Sequence, residues 1–313
     1  MANFLVFLQI NCASVLPYGE SVVHIKDILI MTVNRIYTIL VSLMLCTVSI
    51  SAADDTQPFV LVLDPGHGGK DIGAPGACRK TTESAVVLDV AKRVGRMVED
   101  AGLDIQTVYT RKTDRFVTLQ GRADIANKAH GDLFVSIHCN SVKSGGNNVQ
   151  GTSVYTLGSG KSSENLRVAM RENSVIELEP DYTAKYSGFD PNSVESYILF
   201  ELSQDVHIRQ SIDFARLAQD ELVSTAGRVD KKLRQANFWV LWATSMPAVL
   251  VELDFICNPA IEDFFADEKG REECAQALFN AVKKYYERTI RQREVGKQHT
   301  AFADKPNNKK KRR

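Results

Sequence analysis

Three apolar runs constrain this chain more than anything else in it: "LVLDPGH" ending at His67, "LFVSIH" ending at His138, and "AVLVE" ending at Glu252. None of them alternates, which is how strands buried on both faces read. Pro65 cannot donate to a strand ladder and Gly66 permits a positive φ, so the first strand stops there. In a parallel sheet the carboxyl ends converge on one edge, and in open α/β sheets ligands bind at that edge. One histidine at such a place is usually a satisfied core residue. Two at corresponding strand ends, with a carboxylate at a third, form a metal-site constellation. Glu252 directly follows an apolar run and is expected to be buried, and a buried carboxylate needs a partner or a metal.

The connecting segments supply the helices. In "ESAVVLDVAKRVGRMVEDAGL", Val86, Val90, Val94, Met97 and Val98 recur at helical spacing, and Gly102 is the expected C-cap. "LDIQTVYTR" reads as a strand and "VTLQGRADIANKAHG" as a helix closed by Gly131. "GTSVYTL" reads as an alternating strand, and "ANFWVLW" and "AVLVELDFI" as two more. Helices are expected at Glu195–Leu202 and Ser211–Ala226, and a terminal amphipathic helix region with a break at Gly270. Strands alternating with helices mean an α/β fold. The expectation is a mostly parallel mixed sheet of about six strands, flanked by helices on both faces, with the site at its carboxyl edge. Glu83 opens the first helix. It reads either as a helix-dipole carboxylate or as a group returned by the glycine loop to face His67.

The two ends read differently. From Met31 there is one basic residue, an apolar run Ile36–Ile50 and then Ser51-Ala52-Ala53, the layout of a secretory signal peptide cleaved after Ala53. The run is short for a membrane span, although an uncleaved anchor is the alternative. Residues 1–30 make no sense as an n-region, and translation is expected to start at Met31. The last nine residues carry six basic side chains and no acidic one, so 291–313 is expected to be a disordered basic tail that at most touches anionic surface weakly. The formal net charge is zero, so composition gives no case for a nucleic-acid partner. Cys78, Cys139, Cys257 and Cys274 lack metal or redox spacing; they are thiols or one or two disulfides.

"LDPGHGGKDIGAPG", "TTESAVVLDVA", "TRKTDRFVTLQGRADIAN", "LFVSIHCNS", "GTSVYTL", "EN" at 164–165, "QANFWVL" and "MPAVLVELDFICNP" follow one another in a familiar order. Over about 59–288 the chain resembles the zinc-dependent N-acetylmuramoyl-L-alanine amidases. The resemblance implies a catalytic domain over 54–290 and one zinc ion per chain, held by His67, Glu83 and His138, with Glu252 as catalytic glutamate. It implies peptidoglycan as substrate and residence in the periplasm or cell wall. Asn140 and Arg122 are candidates to hold substrate; Arg122 and Arg111 read equally as structural ion-pair residues. Cys139, Asp254 and Cys257 depart from the family pattern, and Asp254 is placed to raise the pKa of Glu252 by like charge. Some relatives carry, where this chain has its insert at about 159–210, a helix that gives the zinc a carboxylate until a protein activator removes it. Glu177, Glu179, Glu195 and Glu201 are the carboxylates considered for that role. Two other readings remain: a silent wall-binding or regulatory protein, and a zinc peptidase acting within the stem peptide.

Overall fold

The non-alternating runs do become the centre of a sheet. In the computed structural model, which describes residues 58–158, 162–201 and 206–303, they form β1 (Phe59–Pro65), β3 (Leu133–Asn140) and β6 (Ala248–Phe255). For 198–201 and 294–303 the backbone alone is described. The leader, its apolar run and the basic run 305–313 lie outside the described residues. β2 (Ile105–Tyr109), β4 (Ser153–Thr156) and the short β5 (Arg234–Gln235) complete a six-stranded sheet in the order β2-β1-β3-β6-β4-β5. Every pairing is parallel except β4 with β6. The mostly parallel α/β architecture is as expected from the strand–helix alternation.

Helices cover both faces, and the two-residue period of the strands decides which side chain meets which layer. On one face Leu61, Leu63, Val135, Ile137, Val249 and Val251 pack with α1 (Glu83–Asp100), α6 (Ile208–Ser224) and the long α9 (Glu268–Ala303). On the other, Val62, Phe134, Tyr155 and Leu250 pack with α2 (Leu119–Lys128), α3 (Ser163–Asn173), α7 (Trp239–Trp242) and the insert around Tyr186 and Tyr197. The remaining helices are α4 (Tyr182–Lys185), α5 (Val194–Glu201) and α8 (Pro259–Ala266). All the described residues belong to one compact unit that begins at Pro58. Among them, no helix is long and apolar enough to cross a membrane.

Five sequence expectations are corrected. "ANFWVLW" is not a strand: only Arg234–Gln235 pairs with β4, and Trp239–Trp242 is a helical turn. β4 does not alternate, because both of its faces are buried. α2 is ended by His130, which takes the left-handed conformation (φ 51°), rather than by Gly131. The last helical break is at Asp267, the C-cap of α8, whereas Gly270 lies inside α9. A Cβ at Gly270 would meet the carbonyl oxygen of Phe264 at 2.0 Å, so the glycine is there for close approach and not for a bend. Finally, α9 continues to Ala303, so 291–303 is helical and not a disordered tail. The four cysteines among the described residues are all free.

Phe214 of α6 is fully buried, with its ring 5.5 Å edge-on from Tyr285 of α9. Phe214→Ala is expected to cost about 3–5 kcal/mol, read from urea unfolding, because the sheet and α9 leave little room to collapse into the cavity.

Candidate active site

The site is built from the ends of strands. β1 ends at Pro65, and His67 follows with φ 59°, a conformation uncommon for a residue with a Cβ. Two buried arginines hold that turn. Arg122 donates to the carbonyls of Pro65 and His67 at 2.7 Å each, and Arg111 donates to those of Pro65 and Gly66. Beneath them Asp64 accepts from Arg122, Thr110 and Ser136, and these partners lower its pKa despite burial. His138 sits at the end of β3 and is in register with Glu252 on β6. Both therefore project from the same face, beside each other. Gly66 lets the loop pass close to the His138 ring: a Cβ there would lie 2.4–2.8 Å from three ring atoms.

Glu83 reaches the same point from α1. The first-turn N–H groups of that helix are taken by loop carbonyls, Glu83 N–H by Ala74 and Ser84 N–H by Ile72. The Glu83 side chain is thus not needed as a cap and turns inward, 1% exposed. It accepts from the backbone N–H groups of Ala74 and Cys139, and its Oε1 lies 3.0 Å from His67 Nε2 and 3.1 Å from His138 Nδ1. Asp71 holds His67 from behind through Nδ1, at 2.7 Å.

The fourth member is Glu172, on α3 of the insert. Its Oε2 lies 3.3 Å from His67 Nε2 and 3.0 Å from His138 Nδ1. His67, Glu83, His138 and Glu172 are all buried, and each offers one ligand atom within 4.8 Å of the others. His67 Nε2 and Glu172 Oε2 are buried and meet each other, Glu83 and His138 only as ion pairs, without a well-aligned hydrogen bond, so both atoms are aimed at one point. Two imidazole nitrogens and two carboxylate oxygens suit a zinc ion, and tetrahedral ligands about 2.0 Å from the metal are about 3.3 Å apart. The donor set fits the metal.

Electrostatics agree. Burial opposes protonation of both imidazoles, but Glu83 and the bonds from Asp71 and Glu172 hold the pKa of His67 well above its ordinary value. For His138, Glu172 and Glu83 overcome burial and raise the pKa to about 9. Burial also opposes the charge on Glu83, but the two histidines lower its pKa to about 2. Glu172 is likewise held ionised against burial by Arg171 and His138. Without a metal, the protein supplies the positive charge from protonated histidine. Glu252 behaves in the opposite way. Burial, with Glu172 and Glu83 nearby, raises its pKa to about 8 although Arg171 opposes the shift. Asp254 spends its carboxylate on partners of its own. It accepts from Gly151 N–H and Phe255 N–H and pairs with Arg228.

The sequence-derived residues are therefore divided. His67, Glu83 and His138 converge, with Glu252 beside them and Asn140 next along. Arg122 is 2% exposed and spends its guanidinium on Asp64 and three carbonyls, the structural alternative, and Arg111 spends its own on the carbonyls of Pro65, Thr113, Gly66 and Ser84. None of the side chains of Glu177, Glu179 and Glu195 reaches the cluster. Glu177 bonds Asn192, Glu179 accepts from Leu119 N–H and Tyr186 O–H, and Glu195 is exposed beside Ser193. The side chain of Glu201 lies outside the described residues. Sequence reasoning missed Glu172 and Arg171. A helical count would have found the first: Val168 and Ala169 face the core, and Glu172 and Asn173 continue that stripe at i+4.

A parallel-rich α/β sheet with four donors that could hold a metal at its carboxyl edge defines an α/β protein with a candidate metal centre. Residues 61–284 match the family model described as N-acetylmuramoyl-L-alanine amidase (Amidase_3), and the chain belongs to that family. It is 33% identical over 227 residues to the amidase AmiA of Escherichia coli K12, covering 72% of this chain and 76% of the relative. It is 32% identical over 238 residues to AmiC of Escherichia coli O6:H1, covering 74% of this chain and 53% of the relative. The chain thus spans about half the length of the AmiC relative. Among solved structures, amidase AmiC2 of Nostoc punctiforme superposes with a TM-score of 0.53 at 28% identity, covering 73% of this chain and 97% of the other. The catalytic domain of CwlV from Bacillus (Paenibacillus) polymyxa gives 0.54 at 26%, covering 73% and 98%.

Two outcomes are expected. Gly66→Ala displaces the His138 ring and weakens zinc binding about tenfold or more, read by chelator competition. The pKa of His138 lies above the unfolded value, so its contribution is present in full below about pH 6.5 and lost as the pH rises through about 9. The melting temperature of chelator-treated protein is expected to fall across that window. Zinc-loaded protein, whose histidines must be neutral to bind, is expected not to follow it.

Proposed function

We propose that this chain is an exported zinc hydrolase that cleaves the amide between N-acetylmuramic acid and L-alanine of peptidoglycan, in cell separation or wall turnover. The observation that carries the reading is the convergence of His67, Glu83 and His138 with Glu252 beside them, in a domain of the amidase family. The named relatives are peptidoglycan amidases, and export follows from that substrate together with the expected signal peptide.

His67, Glu83 and His138 would hold the metal, which would supply Lewis acidity toward the scissile carbonyl and an activated water. Asp71 fixes the His67 ring so that Nε2 faces the site. Glu252 is the proton carrier. Its Oε2 is buried and unpartnered, free to take the proton from water and pass it to the leaving amine.

The insert adds self-inhibition, with Glu172 in the role for which other carboxylates of the segment were considered. A catalytic zinc keeps one position open for water, whereas four protein donors close it. α3 is fixed by Asn173, which donates to Asn237 O and accepts from Trp239 N–H, and the following turn is held where Lys70 donates to Leu178 O. A protein activator that lifts α3 then opens the site. The wall-binding reading is disfavoured because the donors and Glu252 are all present. The peptidase reading is disfavoured by the family.

The test is incubation of zinc-loaded Glu172→Ala, in which the fourth donor is removed, with sacculi and mass spectrometry of the soluble products. Free stem peptides beginning at L-alanine, lost with chelator, are expected. Shortened peptides left on muramic acid would overturn the substrate assignment. Glu252→Gln is expected to lower turnover about 10²–10⁴-fold with products unchanged in kind.

A further inference from the structure

The neighbour of Glu172 is as deeply engaged as Glu172 itself. Arg171 Nη2 donates to Glu252 Oε1 at 3.0 Å, and Nη1 donates to Asn140 Oδ1 at 2.9 Å and to the Ser141 carbonyl at 2.6 Å. Its Nε donates to Glu172 Oε1 at 2.7 Å. Glu252 is 0% exposed and Asn140 4%, while the arginine side chain is 30% exposed and enters from the solvent side. One planar guanidinium thus spans three acceptors on the ends of β3 and β6 and lies against the metal donors. No family motif noted in the sequence contains Arg171.

Acceptors gathered in one place call for a donor-rich ligand. On the reading above, the scissile carbonyl would face the three donors His67, Glu83 and His138, and the leaving nitrogen Glu252. The peptide side of that bond continues as a chain of amide N–H groups. A carboxylate, a side-chain carbonyl and a backbone carbonyl, side by side next to the proton carrier, are what those N–H groups can bond. A guanidinium, with five N–H donors in a fixed fork, imitates such a segment.

We propose that Glu252, Asn140 and the Ser141 carbonyl form the subsite for the N–H groups of the stem peptide, and that Arg171 plugs it as an internal mimic, a second closure separate from Glu172. This rests on the amidase reading. The two closures act on different things. Glu172 takes the position at the metal, and Arg171 takes the peptide's place and holds Glu252 in an ion pair. Freeing one leaves the other in place, so each single variant is only partly open.

The experiment compares full-length Arg171→Ala, Glu172→Ala and the double variant, each loaded with zinc. Labelling of Glu252 by a water-soluble carbodiimide, mapped by mass spectrometry, reads the plug without reference to activity. Glu252 is expected to be protected in wild type and in Glu172→Ala, labelled in Arg171→Ala, and protected again when guanidinium is added below unfolding concentrations but not when urea is. Adding Asn140→Ala to Arg171→Ala should abolish the guanidinium protection. On sacculi the double variant is expected to exceed either single variant by about tenfold, as the loss of charged hydrogen bonds implies. Guanidinium should inhibit the double variant by raising KM. Equal rates for Glu172→Ala and the double variant, or Glu252 labelling that is the same with and without Arg171, would overturn the plug. If no variant releases stem peptides while the labelling pattern holds, the amidase reading fails, and the peptide subsite falls with it although the plug remains. Chelator competition adds a second readout: Glu172→Ala should weaken zinc binding most, and Arg171→Ala, which removes a partner of Glu172 but no donor, should weaken it less.

Discussion

Three buried carboxylates, Glu83, Glu172 and Glu252, share one corner of the sheet with two imidazoles, and the rest of the site depends on how their charge is compensated. Isolated carboxylates cannot be kept ionised in an apolar interior. Glu83 and Glu172 are kept ionised by the histidines, backbone N–H groups and Arg171. Glu252 has fewer favourable partners and its pKa rises. A bound divalent cation would release the histidines from that duty. The same arrangement thus suits a metal ion and sets Glu252 apart from the carboxylates that face the histidines.

The scaffold supplies this corner through ordinary sheet geometry. β1, β3 and β6 are parallel neighbours, so their carboxyl ends meet at one edge. His138 and Glu252 are register partners, and the two-residue period turns both toward the face covered by α2 and the insert. Glu83 comes from the first turn of α1, whose backbone donors are already taken by the glycine loop. Asp64, Arg111 and Arg122 occupy the layer below. They are placed to hold the strained His67 turn, which explains why arginines beside an active site need not touch substrate.

This part was legible in the sequence because it rests on strands buried on both faces, whose apolar runs and polar ends are local signals. His67, His138 and Glu252 could be singled out from run and terminus alone, and the strand–helix alternation led to the sheet. Glu83 was ambiguous on position and was resolved by its burial. Less was legible where tertiary contacts override local pattern. "ANFWVLW" has the aromatic and β-branched content of a strand, but only Arg234–Gln235 finds a partner edge, and the tryptophans wind into a turn with Trp239 against Tyr186 and Phe189. Gly270 is a helix interior residue because Phe264 needs the space. Glu172 and Arg171 were missed for a related reason. They stand on a mostly polar helix with no strand end to mark it, and their importance arises only when α3 is laid across the sheet edge.

The central claim is that α3 closes the metal site with a fourth protein donor. X-ray absorption at the zinc edge, on zinc-loaded full-length protein and on Glu172→Ala, tests it most directly. The account predicts two imidazoles and two carboxylate oxygens around zinc in the wild type, with one carboxylate replaced by water in the variant. An identical zinc environment in the two proteins, with three protein donors and water in both, would contradict it.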